Sequence, residues 1–304
     1  MPTRPAHRLR RVVILHCAMR AVWLLALGPV MASARSQPSR AASSAWTLVW
    51  SDEFNGAAGA PVDGRRWTHD RGDGCRAGIC GWGNEEREYY TSASENVALD
   101  GHGRLAITAR TAPAGLHCHY GPCRYTSARI KTKGRMNARP GRVEARLRVP
   151  SGQGLWPAFW MLGSSYPETP WPQCGELDIM EHRGSKPHAM SSAIHGPGYF
   201  GRTPFAHEHV LQRGGFADDF HVFAVEWSST QVRFLVDGSA HYTINRSAVE
   251  RAGSWVFDQP FFVILNLAIG GTFDGDPQSD AMLPATMLVD YVRVYVPSAP
   301  GSRR

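Results

Sequence analysis

The sequence lacks several features that mark other classes of protein. It has no internal repeat and no block of like charge, and after residue 34 it has no apolar run long enough to cross a bilayer. No segment shows a long helical period with capping residues. These absences argue against a repeat protein, a protein that spans the membrane with helices, and a helical bundle.

Excess charge is also scarce once the N-terminal segment is set aside. The 304 residues carry 33 Lys and Arg against 26 Asp and Glu, a net charge of +7. Residues 1–34 hold five Arg and no acid, so the remainder has 28 basic and 26 acidic residues. This balance argues against nucleic-acid binding.

The N-terminal segment is typical of an export signal. Its arginines at positions 8, 10, 11 and 20 make a basic start, an apolar run follows from 21 to 32, and Ala32-Ser33-Ala34 offers an A-x-A cleavage site. We therefore expect residues 1–34 to be a signal peptide and the mature protein to be secreted, either extracellular or periplasmic. Arg10-Arg11 leaves open whether the signal is of the Sec or the twin-arginine type.

The rest of the chain divides simply. Residues 35–45 are predicted to be a polar linker and residues 297–304 a flexible tail, which leaves one domain over 46–296. Gly (31), Pro (21) and ten Trp suit a β-rich domain with an exposed aromatic surface.

Alternating apolar residues predict many short strands. Residues 142–149 place Val143, Ala145, Leu147 and Val149 on one face. Residues 232–238 alternate and end in Asp-Gly, a hairpin turn signal, whereas the continuous apolar run at 261–269 indicates a strand covered on both faces. Further strands are predicted near 104–109 and 288–296. The pattern predicts an all-β sandwich or barrel.

The cysteines suggest disulfides in an exported protein. Cys75 and Cys80 share one short loop and Cys118 and Cys123 another, so pairing within each loop or between the loops is open. The spacing also resembles half of a zinc site, but there is no clear His pair. The remaining mature cysteine, Cys174, is interpreted as a small buried residue rather than a nucleophile.

The segment 175–182, GELDIMEH, carries three acids within six residues. On a strand, Leu177 and Ile179 would point into the core, and Glu176 and Asp178 would share the open face. Glu181 is an odd number of residues from Glu176 and would therefore face the core without a partner, at high cost.

A one-residue β-bulge around Ile179-Met180 would return Glu181 to the open face. Three carboxyls in a row cannot all ionise easily, so at least one pKa should rise. A retaining glycoside hydrolase needs this combination, an ionised nucleophile beside a protonated acid. The alternative interpretations are a solvated strand face and a set of calcium ligands.

Aromatic residues near the acids favour a carbohydrate groove. Trp156 and Trp160 share one parity on a predicted strand and would present sugar-stacking platforms. Trp171 lies five residues before Glu176, and His195 could bond a sugar hydroxyl.

At this point the sequence resembles a known family. WPQCGELDIMEH is similar to the active-site strand of glycoside hydrolase family 16, and the extra residue before the last Glu resembles the laminarinase branch of endo-β-1,3-glucanases. The resemblance covers nearly the whole mature chain. Its other segments are TLVWSDEFNG (47–56), GWGNEEREYYT (81–91), YTSARIKTKG (125–134), GRVEARLRVPSGQGLWPAFWMLG (141–163), FFVILNLAIGG (261–271) and MLVDYVRVY (287–295).

The resemblance implies a concanavalin-like jelly-roll β-sandwich with a substrate cleft on its concave face, and a retaining mechanism. It implies that Glu176 is the nucleophile, Asp178 the assisting acid and Glu181 the acid/base. The positions that would line the cleft are Asn84, Arg129, Trp156, Trp160, Trp171 and His195. It implies no cofactor for catalysis and a structural calcium site formed by backbone carbonyls of Glu53 and Gly103 and the Asp290 carboxylate.

The expected partner is a β-glucan, with no nucleic acid and no membrane, and the protein is expected to be a monomer. Glu86 and Arg87 depart from the family's usual residues, and the two cysteine loops look like local additions. Two alternatives differ in function: a non-catalytic β-glucan-binding protein on the same fold, and an agarose or carrageenan hydrolase. Binders generally lack one or both glutamates, whereas Met180 argues against a pure lichenase; mixed-linkage β-1,3-1,4-glucan is an expected side substrate.

Overall fold

Two β-sheets hold nearly all of the regular structure. The structure is a computed structural model that describes residues 45–299. The predicted signal peptide, residues 35–44 of the predicted linker and the tail from residue 300 lie outside the described residues.

Nineteen strands are described, with one short helix. In chain order the strands are β1 (Trp46–Asp52), β2 (Thr68–Asp70), β3 (Glu88–Tyr90), β4 (Val97–Leu99), β5 (Leu105–Thr111), β6 (His117–Cys118), β7 (Gly121–Pro122), β8 (Tyr125–Ser127), β9 (Arg129–Lys131), β10 (Arg142–Arg148), β11 (Leu155–Gly163), β12 (Glu176–His182), β13 (Ala189–His195), β14 (Phe205–Val210), β15 (His221–Trp227), β16 (Gln231–Val236), β17 (Ser239–Asn245), β18 (Phe261–Ile269) and β19 (Ala285–Pro297). The helix α1 is Arg246–Val249, and 3₁₀ turns occupy Cys75–Ala77, Cys80–Gly83 and Asp280–Met282. Between residues 45 and 299 no helix has the length and apolarity to cross a membrane.

The larger sheet has ten strands in the order β17-β16-β15-β10-β19-β5-β8-β3, with β1 also paired to β19 and β4 to β5. The smaller sheet has seven strands in the order β14-β13-β12-β11-β18-β9-β2. The pairings are antiparallel except for β3 with β8, and β6 and β7 form a separate hairpin. The predicted all-β class is confirmed.

The core lies between the two sheets, and the alternation in sequence fixes which side chains enter it. Val143, Ala145 and Leu147 of β10 are fully buried, as predicted. All nine residues of β18 are buried, which confirms the strand covered on both faces. Its inner face packs in the main core, and its outer face packs on a small cluster with Leu162 and Cys174.

The predicted Asp-Gly turn joins β16 to β17. Asp237 and Gly238 are the two connecting residues, with φ of 49° and 79°. Positive φ at both central positions matches the right-handed twist of the paired strands.

The disulfide pairing that the sequence left open is within each loop. Cys75 bonds to Cys80 and Cys118 to Cys123, so neither pair offers free thiolates to a zinc ion. Cys174 is a buried free cysteine, as predicted. The second disulfide loop is bound to the segment that leads into the first, since the backbone N–H of His119 donates to Asp73 at 2.7 Å.

Candidate active site

The three acids lie on β12, an inner strand of the smaller sheet. Against β11, Asp178 pairs with Trp160 and Met180 with Phe159, so Ile179 is an extra residue. The register with β13 shifts at the same place, between Asp178 and Glu181. The predicted β-bulge is therefore confirmed.

The bulge sorts the side chains of β12 between two environments. Leu177, Ile179 and Met180 are buried in the core. The successive residues Ile179 and Met180 can both face the core because the bulge interrupts the alternation of side chains between the two faces. Glu176 and Glu181 are partly exposed, and Asp178 between them is buried. The three carboxyls thus form one row on the outer face of the smaller sheet.

Glu176 and Asp178 have one basic neighbour in common. His195 Nε2 lies 3.2 Å from Asp178 Oδ2 and 3.8 Å from Glu176 Oε1. Burial, followed by the Asp178 charge, raises the pKa of Glu176 well above its usual range. Burial, followed by the Glu181 charge, raises the pKa of Asp178 in the same direction. Two neighbouring carboxyls that both have a raised pKa favour a state in which the pair holds one proton.

Glu181 is oriented by an indole. Trp156 Nε1 donates to Glu181 Oε1 at 3.1 Å. Burial raises the pKa of Glu181, while His195, the Trp156 hydrogen bond and the Arg183 charge act in the opposite direction. A carboxyl with a raised pKa and a fixed orientation is suited to general acid catalysis.

Trp156 is itself held by aromatic packing. Its ring stacks on Phe273 with centroids 4.7 Å apart, and the Arg183 guanidinium lies 3.8 Å from the Phe273 centroid on the ring face. One face of Trp156 is thus covered by protein, so the platform predicted from the sequence supports Glu181 as well. Phe273 was missed because it lies on a loop far along the chain, with no periodicity to mark it.

Trp160 also has a structural partner on one face. The Arg129 guanidinium lies between Trp160 and Trp82, at 4.7 Å and 4.8 Å from their centroids, and Arg129 Nε is 3.0 Å from Asp70 Oδ2. Trp160 Nε1 donates to Asn266 Oδ1 at 2.7 Å. Trp82, which the sequence reasoning did not select, has φ of 52°, a left-handed conformation that is rare outside Gly.

Trp171 is the most open of the predicted platforms. Its side chain is exposed, its ring centroid lies 6.1 Å from that of His195, and it meets Phe200 edge-on at 5.3 Å. Phe200 is 44% exposed and was also missed, because the Gly-rich stretch around it shows no alternation. The pair forms an apolar surface beside the carboxylate row.

Asn84 lies on the wall opposite, at the end of β18. Its side-chain Nδ2 donates to Glu86 Oε1 at 3.1 Å, and its backbone carbonyl accepts from Thr272 N–H at 2.9 Å. All six residues predicted to line the cleft therefore lie around the carboxylate row or on the adjoining strands and loops.

The predicted calcium ligands come from three segments that adjoin on the larger sheet. β1 and β5 pair end to end along the same edge of β19, where Asp52 is opposite Val292 and Leu105 is opposite Val289. Glu53 follows Asp52 in the sequence, and Gly103 precedes Leu105. Both residues therefore lie beside the part of β19 that contains Asp290.

The side chains at this junction leave oxygen atoms for a cation. The Glu53 carboxylate is bonded to Arg293 through both oxygens, at 3.0 Å and 2.8 Å, so its backbone carbonyl is the available ligand. Asp290 Oδ2 accepts from Arg146 at 2.8 Å, and its second oxygen remains for a metal. The donor set fits a hard cation such as calcium.

Comparisons with known proteins agree with this geometry. Residues 84–293 match the model of Glycosyl hydrolases family 16. The chain is 41% identical over 272 residues to a β-glucanase of Rhodothermus marinus, covering 82% of this chain and 85% of that protein. Among solved structures, an endo-β-1,3-glucanase from Pyrococcus furiosus is similar with 43% identity and a TM-score of 0.79, covering 84% and 95% of the two chains. The laminarinase catalytic domain from Thermotoga maritima MSB8 is similar with 40% identity and a TM-score of 0.78, covering 84% and 99%.

Proposed function

Because the chain belongs to glycosyl hydrolases family 16, with the jelly-roll sandwich of that family and a glucan-hydrolysing activity, we propose that it cleaves internal β-1,3-glucosidic bonds of laminarin-type glucans with retention of configuration. The observation that carries the proposal is the row of three carboxyls on the bulged strand β12. It supplies a nucleophile and a separate acid on one face of the sheet.

The first step forms a covalent glycosyl–enzyme. Glu176 attacks the anomeric carbon as the glycosidic bond breaks, and Glu181 gives its proton to the leaving oxygen. The proton shared with Asp178 resides on Asp178 during the attack, so that Glu176 reacts as a carboxylate. Trp156 holds the Glu181 carboxyl toward the leaving group through its 3.1 Å hydrogen bond.

The second step returns the enzyme to its starting state. Glu181, now ionised, takes a proton from water, and the water oxygen attacks the anomeric carbon and releases Glu176. The product keeps the β configuration because the carbon is inverted twice.

A β-1,3-glucan suits the surfaces beside the row. Trp171 and Phe200 lie on the β13 side, and Trp82, Arg129 and Trp160 lie on the β11, β18 and β9 side. Aromatic faces and edges on both sides can hold sugars on both sides of the scissile bond, as cleavage within a chain requires. Mixed-linkage glucan is proposed as a side substrate.

The test is product analysis of the purified protein on laminarin, barley β-glucan and agarose in parallel, with the anomeric configuration of the first product followed by proton NMR. We expect short β-1,3-oligosaccharides from laminarin that appear first as the β anomer. An α anomer would contradict retention, and products from agarose alone would move the substrate to a galactan. Binding of laminarin without any product would support the non-catalytic alternative.

We also propose that Glu53, Gly103 and Asp290 hold a structural calcium. When bound, the ion would join the ends of β1 and β5 to β19. Added calcium should raise the Tm of the chelator-treated protein, and Asp290→Asn should remove most of that rise. An equal rise in Asp290→Asn would place the ion elsewhere.

Export is the remaining proposal, supported by the two disulfides, which persist in oxidising compartments. We expect the protein recovered outside the cytoplasm to begin at Arg35. Recovery with residues 1–34 still attached would contradict the predicted cleavage site. A monomer remains a prediction.

A further inference from the structure

A second pair of carboxyls lies behind the wall of the cleft. Glu86, which precedes β3, and Glu88, its first residue, are both buried, and the Glu86 charge acts on Glu88. Glu88 Oε2 accepts from Ile269 N–H at 2.7 Å, and Glu88 Oε1 is buried with no donor. Two interacting buried carboxyls do not both ionise easily, so one of them is expected to carry a proton.

The surrounding donors show which one is ionised. Asn84 Nδ2 donates to Glu86 Oε1 at 3.1 Å, and Tyr90 OH donates to Glu86 Oε2 at 3.2 Å. Tyr90 in turn accepts from Asn266 Nδ2 at 3.1 Å, and Asn266 Oδ1 accepts from Trp160 Nε1 at 2.7 Å. Every donor in this series of hydrogen bonds points toward Glu86. Glu86 is therefore the ionised carboxylate, and Glu88 is the protonated acid.

The charged neighbours do not change this assignment. Arg87 is paired with Asp276 at 3.0 Å, and Arg129 is paired with Asp70. Tyr120 donates its hydroxyl to the Arg87 carbonyl. On the adjacent strand β8, Tyr125 donates to Asp280. No basic side chain of residues 45–299 is recorded in an ion pair with Glu88, and burial together with the Glu86 charge raises its pKa well above the usual range.

We propose that Glu88 is a neutral acid whose proton holds the Glu86 carboxylate in place, and that Glu86 positions two cleft residues, Asn84 directly and Trp160 through Tyr90 and Asn266. The role in glucan binding rests on the proposed function, whereas the protonation of Glu88 does not. Loss of the Glu88 proton at alkaline pH would place two buried carboxylates side by side and disrupt the network. Substrate affinity should then fall on the alkaline side. Glu86 is a positioning residue in this scheme.

The pair also acts on the proposed acid/base. The Glu86 charge is one of the causes that raise the pKa of Glu181, after burial. Replacement of Glu86 by Gln should therefore move the alkaline limb of the pH profile of kcat/KM to lower pH. It should also weaken the binding of glucan. A merely structural residue would not shift this limb.

The test compares Glu88→Gln with Glu85→Gln from about pH 6 to about pH 10. The amide of Gln is the isostere of a neutral acid, donates to Glu86 and cannot ionise. Glu85 is exposed on the same loop, so the same replacement of Glu by Gln there leaves the network untouched. Two readouts are used: the Trp160 indole N–H resonance in ¹⁵N-labelled protein without glucan, assigned by Trp160→Phe, and the Kd of a β-1,3-gluco-oligosaccharide in a Glu176→Gln background.

We expect the Trp160 resonance to titrate on the alkaline side in the wild type and in Glu85→Gln, but not in Glu88→Gln. At the pH where the wild-type Kd has risen about tenfold, the Kd of Glu88→Gln should have changed by less than about twofold. An unchanged titration in Glu88→Gln would overturn the proposal, as would failure of this variant to fold, because an amide can replace a neutral acid here but not a carboxylate.

The indole readout separates this proposal from the proposed function. If the oligosaccharide does not bind at any pH, the glucan assignment fails, and the Trp160 titration still decides whether Glu88 carries the proton. If the oligosaccharide binds and the indole titration is the same in the wild type and both variants, only the proposal for the carboxyl pair is wrong.

Discussion

The carboxylates on the two outer faces of the sandwich differ in their basic partners and in the direction of their pKa shifts. On the larger sheet, Glu144 and Glu226 both accept from Arg142, at 2.7 Å and 2.6 Å. On the smaller sheet, Glu176 and Asp178 share the single imidazole of His195. The Arg293 hydrogen bond lowers the pKa of Glu53 on the first face, whereas burial raises the pKa of Glu176 on the second. The pKa shifts of Glu53 and Glu176 therefore differ in sign between the two faces.

The largest effect is expected from replacement of the two proposed catalytic glutamates. Glu181→Gln should lower kcat by about 10²–10⁴-fold, the usual contribution of a general acid, and Glu176→Gln should cost at least as much. Steady-state kinetics on laminarin measures both. Glu95→Gln, at an exposed position, is the control. Near-normal turnover in either active-site variant would contradict the catalytic assignment.

Removal of an ion pair on the outer face of the larger sheet should lower stability and leave kcat unchanged. Arg142→Ala leaves Glu144 and Glu226 mostly buried without their main partner, and we expect the free energy of unfolding to fall by about 3 kcal/mol. Arg65 forms an ion pair with Asp63 in which its side chain is 91% exposed, so Arg65→Ala should have no measurable effect. Chemical denaturation compares the two, and equal losses would contradict the comparison.

The pH dependence of stability should sharpen the contrast. A raised pKa means that Glu176 contributes stability below its unfolded pKa, and that this contribution is lost as pH rises through the folded pKa. Glu176→Gln should therefore match the wild type near pH 4 and raise the Tm by about 2–4 °C near pH 7, the effect of ~1 kcal/mol in a domain of this size.

Glu53→Gln is the matched control with the opposite sign. Its lowered pKa means that Glu53 contributes stability above its unfolded pKa, which is lost as pH falls through the folded pKa. This variant should be less stable than the wild type at pH 7, and the difference in stability between the two should disappear at acidic pH. Changes of the same sign in both variants would refute the distinction between the faces.

The smallest expected effect concerns the exposed aromatic pair. Phe200→Ala should raise KM for laminarin by about 2–10-fold with little change in kcat, since an aromatic contact contributes about 0.5–1.5 kcal/mol. Leu48→Ala, at an exposed position on β1, is the control. An unchanged KM would remove Phe200 from the binding surface.

Local patterns were sufficient for the strands and the acids. Alternation placed Val143 and Leu147 in the core, and the odd spacing of Glu176 and Glu181 required the bulge, because a buried unpaired carboxylate is costly. These inferences depend on neighbours within a few residues. The family resemblance added the calcium ligands and the cleft positions Asn84 and Arg129, which spacing alone did not contain.

What the sequence did not show depends on distant partners. Trp156 has the spacing of an open platform, but Phe273 covers one of its faces. Glu86 and Glu88 have the spacing of a solvated strand face, yet the end of β18 buries both. The disulfide pairing stayed open because both loops have the same spacing, and only the fold brings each pair together.

The position of β19 constrains how the chain can fold. This last strand lies inside the larger sheet, between β10 and β5, and also pairs with β1 at the other end of the domain. During synthesis, β1, β5 and β10 emerge from the ribosome long before the strand that joins them. The larger sheet can therefore close only after residues 285–297 are available, and chains that stop short of them will expose three unpaired strand edges, the surfaces from which aggregates grow.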